Sequence, residues 1–306
     1  IATDKLPASN LTFLIDVSGS MEDENKLPLV KASMKMLTDQ LRESDKVSIV
    51  VYAGAAGLVL KPTSGANKIK IKEAIDNLEA GGSTAGGEGI RLAYKTAKQN
   101  FKEGGNNRVI LCSDGDFNVG ESSDDAMERL IEAERKAGVY LTVLGYGMGN
   151  YKDSKMQKLA QKGNGNHAYI DDISEAKKVL VNEFGGTMFA IAKDVKLQVE
   201  FNPALVQGYR LIGYENRMLA KEDFNDDKKD AGELGSVHTV TAIYEIIPAG
   251  IKDTMLGSVD ALKYQQPVKS GKYNGTEMMT VKARYKPVNS ETSLLLEYPI
   301  SNSITG

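Results

Sequence analysis

The 306-residue chain is long enough for about two domains of roughly 150 residues each. It has 38 Lys and Arg residues against 41 Asp and Glu, so its net charge of −3 offers no basic excess for binding nucleic acid. One cysteine and two histidines exclude an internal disulfide and a multi-cysteine zinc site, and no apolar run approaches the length of about 18 residues that a membrane span needs.

Residues 11–185 alternate between short apolar runs and stretches with a helical period. The run LTFLI at 11–15 is typical of a strand that is buried on both faces of a parallel sheet. Apolar residues then recur in steps of three and four over 26–42, which predicts an amphipathic helix. The same patterns predict further strands at 47–53, 108–112, 139–147 and 168–170, and further helices at 68–78, 123–137, 154–162 and 174–184. A helix also follows the glycine-rich stretch 81–89, and the residues that we expect to face inward from it are Ile90, Ala93, Tyr94, Ala97 and Phe101.

This alternation predicts an α/β fold with a doubly wound, mostly parallel, Rossmann-like sheet over residues 9–185. Beyond Gly185 and Gly186 the pattern changes to extended segments that are rich in β-branched and aromatic residues. We therefore predict a smaller, antiparallel, β-rich domain over 187–306, with a sandwich-like arrangement. Its predicted strands lie at 194–202, 209–214, 237–247, 278–285 and 293–298.

Three polar loops belong to the predicted parallel sheet. They are Asp16-Val17-Ser18-Gly19-Ser20, Gly81-Gly82-Ser83-Thr84-Ala85-Gly86-Gly87 and Ser113-Asp114-Gly115-Asp116. Ligands of open parallel sheets bind at the carboxyl ends of the strands, so we expect these loops to share one edge. Hydroxyls and carboxylates, without histidine or cysteine, favour a hard divalent cation such as Mg²⁺, Mn²⁺ or Ca²⁺.

Hydroxyl ligands are neutral, so a cation that is held mainly by hydroxyls keeps much of its positive charge. Such a cation retains affinity for one more carboxylate, which a partner protein can supply. The ligand set therefore favours cation-bridged protein binding over hydrolysis, and we expect the chain not to be an enzyme.

The three motifs resemble the metal-ion-dependent adhesion site of von Willebrand factor type A domains, in that family's order and spacing. The resemblance covers about residues 9–185. Stretches such as NKLPLVK, GGSTAGGEGIRLAY and LTVLGYGMGN are similar to a bacterial subgroup in which a type A domain precedes a C-terminal domain of unknown function. The stretches AKDVKLQVEFNP and RLIGYENR continue that similarity into the second half.

The resemblance implies that Ser18, Ser20 and Thr84 ligate the cation directly, and that Asp16 and Asp114 act directly or through water. Mg²⁺ is the expected cation, with Mn²⁺ and Ca²⁺ as alternatives, and the expected partner is a protein that presents an acidic residue. The subgroup also implies export in bacteria, to the periplasm or cell surface, with a lipid anchor in the full-length form. The first ten residues themselves show no targeting signal.

Further residues are candidates for the surroundings of this site. Asp116 and Ser83 are expected behind the ligands, and Tyr151 on a rim that touches the partner. A separate acidic stretch, Asp223 to Asp227, has the alternating spacing of a calcium loop but lacks the glycine and terminal glutamate of that motif, so we interpret it as a solvated loop.

Other interpretations remain open at the level of the sequence. Asp16, Ser18 and Ser20 alone would also suit a strand end and a helix N-cap. A structural scaffold of an envelope complex, with a non-essential metal, is one alternative function. A metal-assisted hydrolase is the other, although the second aspartate of a DxDxT phosphatase is replaced by Ser18. The oligomeric state is open.

Overall fold

The computed structural model describes residues 6–83, 86–117, 124–147, 153–182, 190–213, 218–229, 231–235, 240–252, 276–287 and 290–301. The chain divides into two compact units. The first unit comprises Ile1–Ala190 with Gly235–His238, and the second comprises Ile191–Leu234 with Thr239–Gly306. The domain limits predicted from the sequence stay a prediction.

A six-stranded sheet forms the centre of the first unit, in the order β3-β2-β1-β4-β5-β6. Strands β1, β2, β4, β5 and β6 are parallel, and β3 is an antiparallel edge strand. Every residue of the two central strands, β1 and β4, is buried, as their continuous apolar runs predict. The strands are β1 (Ser9–Asp16), β2 (Lys46–Tyr52), β3 (Ala56–Ser64), β4 (Asn106–Ser113), β5 (Val139–Tyr146) and β6 (His167–Ile170).

Helices cover both faces of this sheet and create two apolar cores. Helices α1, α2 and α6 contribute to one core, and α3, α4 and α5 contribute to the other. The doubly wound, mostly parallel fold is therefore confirmed. The helices are α1 (Leu27–Gln40), α2 (Lys68–Asp76), α3 (Gly86–Gln99), α4 (Asp124–Lys136), α5 (Asp153–Lys162) and α6 (Ile173–Lys177), and α6 continues into a π-helical turn (Lys178–Asn182).

Helix α3 lies unusually close to strand β2. A Cβ atom at Gly89 would lie 2.7 Å from the Cβ of Tyr52, so this position needs glycine. Gly89 thus allows α3 to pack closely against β2.

The structure corrects three details of the sequence prediction in the first unit. Strand β3 was not predicted, because its residues are an irregular mixture of exposed, half-buried and buried positions on a sheet edge and include Pro62. Phe101 was expected to face inward, but it follows the end of α3 and is 44% exposed. The predicted helix over 174–184 is a short α-helix that changes to π-helical turns.

The second unit contains antiparallel strands, as predicted. A four-stranded sheet has the order β12-β11-β7-β9, and β8 pairs with β10 in a two-stranded sheet. Phe201 of β7 contacts Tyr209 of β8 and Tyr244 of β10, with ring centroids 4.6 and 5.5 Å apart, so aromatic rings join the two sheets. The strands are β7 (Ala190–Phe201), β8 (Val206–Ile212), β9 (Gly232–Gly235), β10 (Ile243–Pro248), β11 (Glu277–Pro287) and β12 (Leu294–Ser301).

Two strands of this unit differ from the prediction. The strand expected over 237–247 begins only at Ile243; residues 240–242 are not in a strand, and 236–239 lie outside the described residues. Strand β9 was not predicted, because its four residues include two glycines and carry no apolar alternation.

Lysine side chains bind the acidic stretch of the second unit to the four-stranded sheet. Lys286 of β11 donates to the Asp194 carboxylate at 2.7 Å and to the Asp227 carbonyl at 2.7 Å. Lys196 of β7 donates to the carbonyl of Asp226, and Asp227 accepts a 2.6 Å hydrogen bond from the Ser293 hydroxyl. These contacts hold the loop in place. They also provide hydrogen-bond acceptors for the ammonium groups of Lys196 and Lys286, which are buried.

Within the described part of the chain, no helix combines the length and the apolar character that crossing a bilayer requires.

Candidate metal centre

The candidate site lies at the carboxyl ends of β1 and β4, in the middle of the sheet. Asp16 is the last residue of β1, and Ser113 is the last residue of β4. The chain order reverses between these two neighbouring strands, so their ends form the crevice in which open α/β sheets bind ligands.

The first loop places its hydroxyls against the Asp16 carboxylate. Asp16 Oδ1 accepts hydrogen bonds from the Ser18 backbone N–H at 2.9 Å and from the Ser18 hydroxyl at 2.6 Å. The chain then curls into a 3₁₀ turn over Gly19–Met21, which brings the Ser20 Oγ to 3.2 Å from the Ser18 Oγ. The side-chain oxygens of Asp16, Ser18 and Ser20 therefore lie close together.

Backbone hydrogen bonds fasten the first loop to the glycine-rich loop. The Gly19 N–H donates to the Gly82 carbonyl at 3.0 Å, and the Gly81 N–H donates to the Val17 carbonyl at 2.7 Å. Residues 81–83 are thereby held beside the first motif. Ser83 is exposed.

The third loop brings a second carboxylate to the same edge. The Ser113 hydroxyl lies 3.5 Å from Asp16 Oδ2 and also accepts from the Gly115 N–H at 3.2 Å. Asp114 follows directly, and its Oδ1 accepts from the Asp116 N–H at 3.2 Å. The Asp116 side chain itself is exposed.

A lysine that the sequence analysis did not single out joins this edge. The Lys26 Nζ lies 3.1 Å from Asp114 Oδ2 and donates to the Ser20 carbonyl at 2.7 Å. Asp23, on the same loop as Lys26, lies 3.7 Å away. Lys26 belongs to the stretch NKLPLVK, which the family resemblance includes, but Asp114 is 88 residues distant along the chain, so no local pattern pairs the two.

Burial dominates the electrostatics of Asp16. The side chain is fully buried, and desolvation raises its pKa, although the hydrogen bonds from Ser18 act in the opposite direction. Tyr52 of β2 is the register partner of Asp16, and its pKa is raised well above its ordinary value by burial and then by the negative charge of Asp16. A buried carboxylate in these surroundings gains from a cation placed beside it.

The structure brings together Asp16, Ser18, Ser20 and Asp114, and it places Ser83 and Asp116 nearby on the same edge. Thr84 and Tyr151 lie outside the described residues. The assignment of all these residues to a metal site stays a prediction.

The donor chemistry of this edge suits a hard divalent cation. Its side-chain donors are hydroxyl and carboxylate oxygens, which Mg²⁺, Mn²⁺ and Ca²⁺ prefer. The described residues contain no cluster of three or more His, Cys, Asp and Glu side chains. A cation at this edge would therefore depend on the serine hydroxyls in addition to the two carboxylates.

Comparison with known families agrees with the topology. Residues 10–183 match the family described as von Willebrand factor type A domain, and the chain belongs to that family. Residues 186–305 match the family described as "Uncharacterized protein YfbK, C-terminal", so the second half is the C-terminal domain of that kind.

The similar proteins include relatives of the whole chain and of its first half. "Uncharacterized protein YfbK" of Escherichia coli (strain K12) is 45% identical over 303 residues, which cover 99% of this chain and 52% of that protein. "Uncharacterized protein sll0103" of Synechocystis is 30% identical over 167 residues, which cover 55% of this chain and 39% of that protein. The chain thus spans about half the length or less of these curated relatives.

A solved structure extends the likeness of fold over both halves. The von Willebrand factor type A protein from Catenulispora acidiphila matches with a TM-score of 0.55 at 17% identity, covering 96% of this chain and 66% of that one. At this identity the likeness shows the fold alone.

Proposed function

We propose that the chain is a protein-binding module that depends on a divalent cation, with Mg²⁺ as the resident ion. Ser18, Ser20 and Thr84 would hold the ion directly, and Asp16 and Asp114 directly or through water. When bound, the ion supplies a positively charged coordination position that an acidic side chain of a partner protein can occupy.

The buried Asp16 carboxylate and its hydroxyl partners carry this proposal. A fully buried carboxylate at the open edge of a sheet is costly unless something compensates its charge. The Ser18 hydroxyl donates a hydrogen bond to Asp16 Oδ1, and the lone pairs of its oxygen stay available to ligate a cation. The Ser20 Oγ adds a second neutral donor 3.2 Å away.

The same arrangement argues for binding rather than catalysis. Asp16 accepts hydrogen bonds from a residue of its own loop and is buried, so it is poorly placed to take a proton from a substrate. Asp114 is engaged by Lys26. Charge attraction to a partner acid needs neither group to move a proton.

The partner and the location of the whole protein belong to the same proposal. The bacterial subgroup that the chain resembles suggests an exported protein acting in the periplasm or at the cell surface. A cation-bridged contact suits such assembly, because it is specific for an acidic side chain and is reversed by chelation.

Calorimetric titration of Mg²⁺ and Mn²⁺ into the purified chain tests the metal site. We expect the native protein to bind the ion saturably. Ser18→Ala and Asp16→Asn should each bind it about tenfold or more weakly. Asp76→Asn is the matched control, since Asp76 is an exposed carboxylate on α2 that pairs with Lys35. Unchanged affinity in both site variants would contradict the metal assignment.

The acid-binding step needs a separate measurement. Acetate serves as the probe for a partner carboxylate, and water-proton relaxation of the Mn²⁺-loaded protein is the readout. If acetate takes a coordination position, it displaces water and lowers the relaxation enhancement, whereas acetamide does not. Equal responses to the two probes would contradict the proposed bridge.

A further inference from the structure

Lys26 places a positive charge at the edge where the divalent cation is expected. Its Nζ contacts the Asp114 carboxylate at 3.1 Å and the Ser20 carbonyl at 2.7 Å. The Lys26 side chain is 16% exposed and that of Asp114 is 8% exposed, so solvent screens this pair only weakly. Asp114 and Ser20 are both residues of the proposed metal site.

The position of this lysine is built into the fold. The Lys26 carbonyl accepts from the Val30 N–H at 2.8 Å in the first turn of α1, which fixes its backbone. Its aliphatic stem lies against Gly147 after β5, where an added Cβ would meet the Lys26 Cε at 2.8 Å. Gly147 also has a positive φ of 87°, and its N–H donates to the Asn25 carbonyl at 3.0 Å. The ammonium is therefore directed to Asp114 by the surrounding backbone.

We propose that Lys26 is a resident competitor of the divalent cation for Asp114. The inference rests on the proposed function, because it assumes a cation bound between the first and third loops. In the metal-free protein the ammonium neutralises Asp114. A divalent cation that uses the same carboxylate must remove the ammonium from it and must also tolerate its positive charge nearby.

The carboxylate of Asp23 is close enough to accept the displaced ammonium of Lys26. Asp23 lies 3.7 Å from the Lys26 Nζ, and its side chain is 74% exposed, so it is free to follow the lysine outward. Exchange of Asp114 for Asp23 keeps the lysine paired while the metal binds. Lys26 thus lowers the metal affinity of the site without abolishing it.

This role predicts effects of opposite sign on two properties. Lys26→Met retains most of the stem that contacts Gly147 but removes the charge. In the metal-free variant Asp114 loses its counter-charge, so the protein should melt at a lower temperature. Mg²⁺ no longer competes with an ammonium, so it should bind more tightly and raise the melting temperature by more than in the native protein.

The experiment titrates Mg²⁺ calorimetrically into native protein, Lys26→Met, Lys26→Arg and Lys35→Met, and it records melting curves with and without Mg²⁺. We expect about tenfold tighter binding by Lys26→Met, with Lys26→Arg close to native because it keeps the charge. Lys35→Met is the matched control: Lys35 lies on α1 and pairs with Asp76, away from the site, so its affinity should be native.

Each outcome separates this inference from the proposed function. Native binding of Mg²⁺ together with equal or weaker binding by Lys26→Met overturns the competition alone. Binding by Lys26→Met but not by native protein supports it strongly. Absence of binding in both overturns the competition together with the metal site.

Asp23→Asn supplies an independent variant that leaves Lys26 and Asp114 intact. Loss of the second acceptor should weaken Mg²⁺ binding in the native background and should have less effect in the Lys26→Met background. Equal effects in the two backgrounds would contradict the exchange of partners.

Discussion

Apolar residues are buried in the central strands of the first unit, but many are exposed on strand β12 of the second unit. In the first unit, β1 and β4 are buried along their whole length between two layers of helices. In the second unit, Leu294 to Leu296 and Tyr298 of β12 are between 43% and 71% exposed. A continuous apolar run therefore predicts full burial for β1 and β4, where helices cover both faces of the sheet, but not for β12.

Charged residues are buried in both units. The buried residues of the second unit include Lys196 and Lys286, each bonded to the acidic loop that joins β8 to β9. The first unit buries paired charges as well, such as Asp45, which pairs with Arg42. The contrast between the two units therefore concerns their apolar residues.

The largest expected contrast comes from removing one aromatic side chain in each unit. Phe13→Ala should cost about 3–5 kcal/mol, because Phe13 is fully buried in β1 and truncation leaves a cavity. Tyr298→Ala should change stability by less than about 0.5 kcal/mol, because Tyr298 is 71% exposed. Urea unfolding followed by circular dichroism measures both, and equal losses would remove the distinction between the units.

A smaller effect should follow from removing a buried charge of the second unit. Lys286→Met deletes the hydrogen bonds to the Asp194 carboxylate and the Asp227 carbonyl, and we expect a loss of about 1.5–3 kcal/mol. Lys193→Met is the control on the neighbouring strand, since Lys193 pairs with Glu291, which is 86% exposed. A gain in stability for Lys286→Met would show that apolar packing at this position outweighs the ion pair.

The smallest effect concerns acid stability of the first unit. Burial alone would raise the pKa of Asp45, but hydrogen bonds from Arg42 and from the Ser9 N–H outweigh it and hold the pKa below its usual range. A carboxyl whose pKa is lowered by folding stabilises the protein above its unfolded pKa of about 3.9, and this contribution is lost as pH falls through the folded value.

Asp45→Asn should therefore lose about 1–2 kcal/mol at pH 7 and progressively less below about pH 4. Urea unfolding at pH 7 and pH 3 checks this dependence. Asp76→Asn removes an exposed carboxylate and should change stability much less at pH 7. If Asp45→Asn loses the same stability at both pH values, the loss comes from altered packing and not from the charge of Asp45.

The sequence predicted most of the first unit because its strands are buried on both faces and its helices carry one apolar face. The same reasoning predicted that Asp16, Ser18, Ser20 and Asp114 would meet, since strand ends of a parallel sheet share an edge. It did not predict strand β3, whose exposed, half-buried and buried residues follow no regular pattern along the edge of the sheet.

The other features that the sequence did not predict depend on contacts between residues that are far apart along the chain. The pairing of Lys26 with Asp114 depends on how the start of α1 and the end of β4 meet in space. In the second unit, strand limits were predicted less well because residues such as Leu294 and Ile243 are exposed, and their apolar character does not follow burial. Ligation of a cation stays a prediction for all the proposed ligands.

The rate at which the single cysteine is alkylated can report on the candidate metal site. Cys112 is fully buried in β4, one residue before Ser113, and burial raises the pKa of its thiol. In the closed sheet a thiol reagent meets neither an accessible sulfur nor a thiolate, so alkylation requires the strand to open. The rate of alkylation thus measures how often the centre of the sheet opens, and a cation bound across the ends of β1 and β4 would slow it.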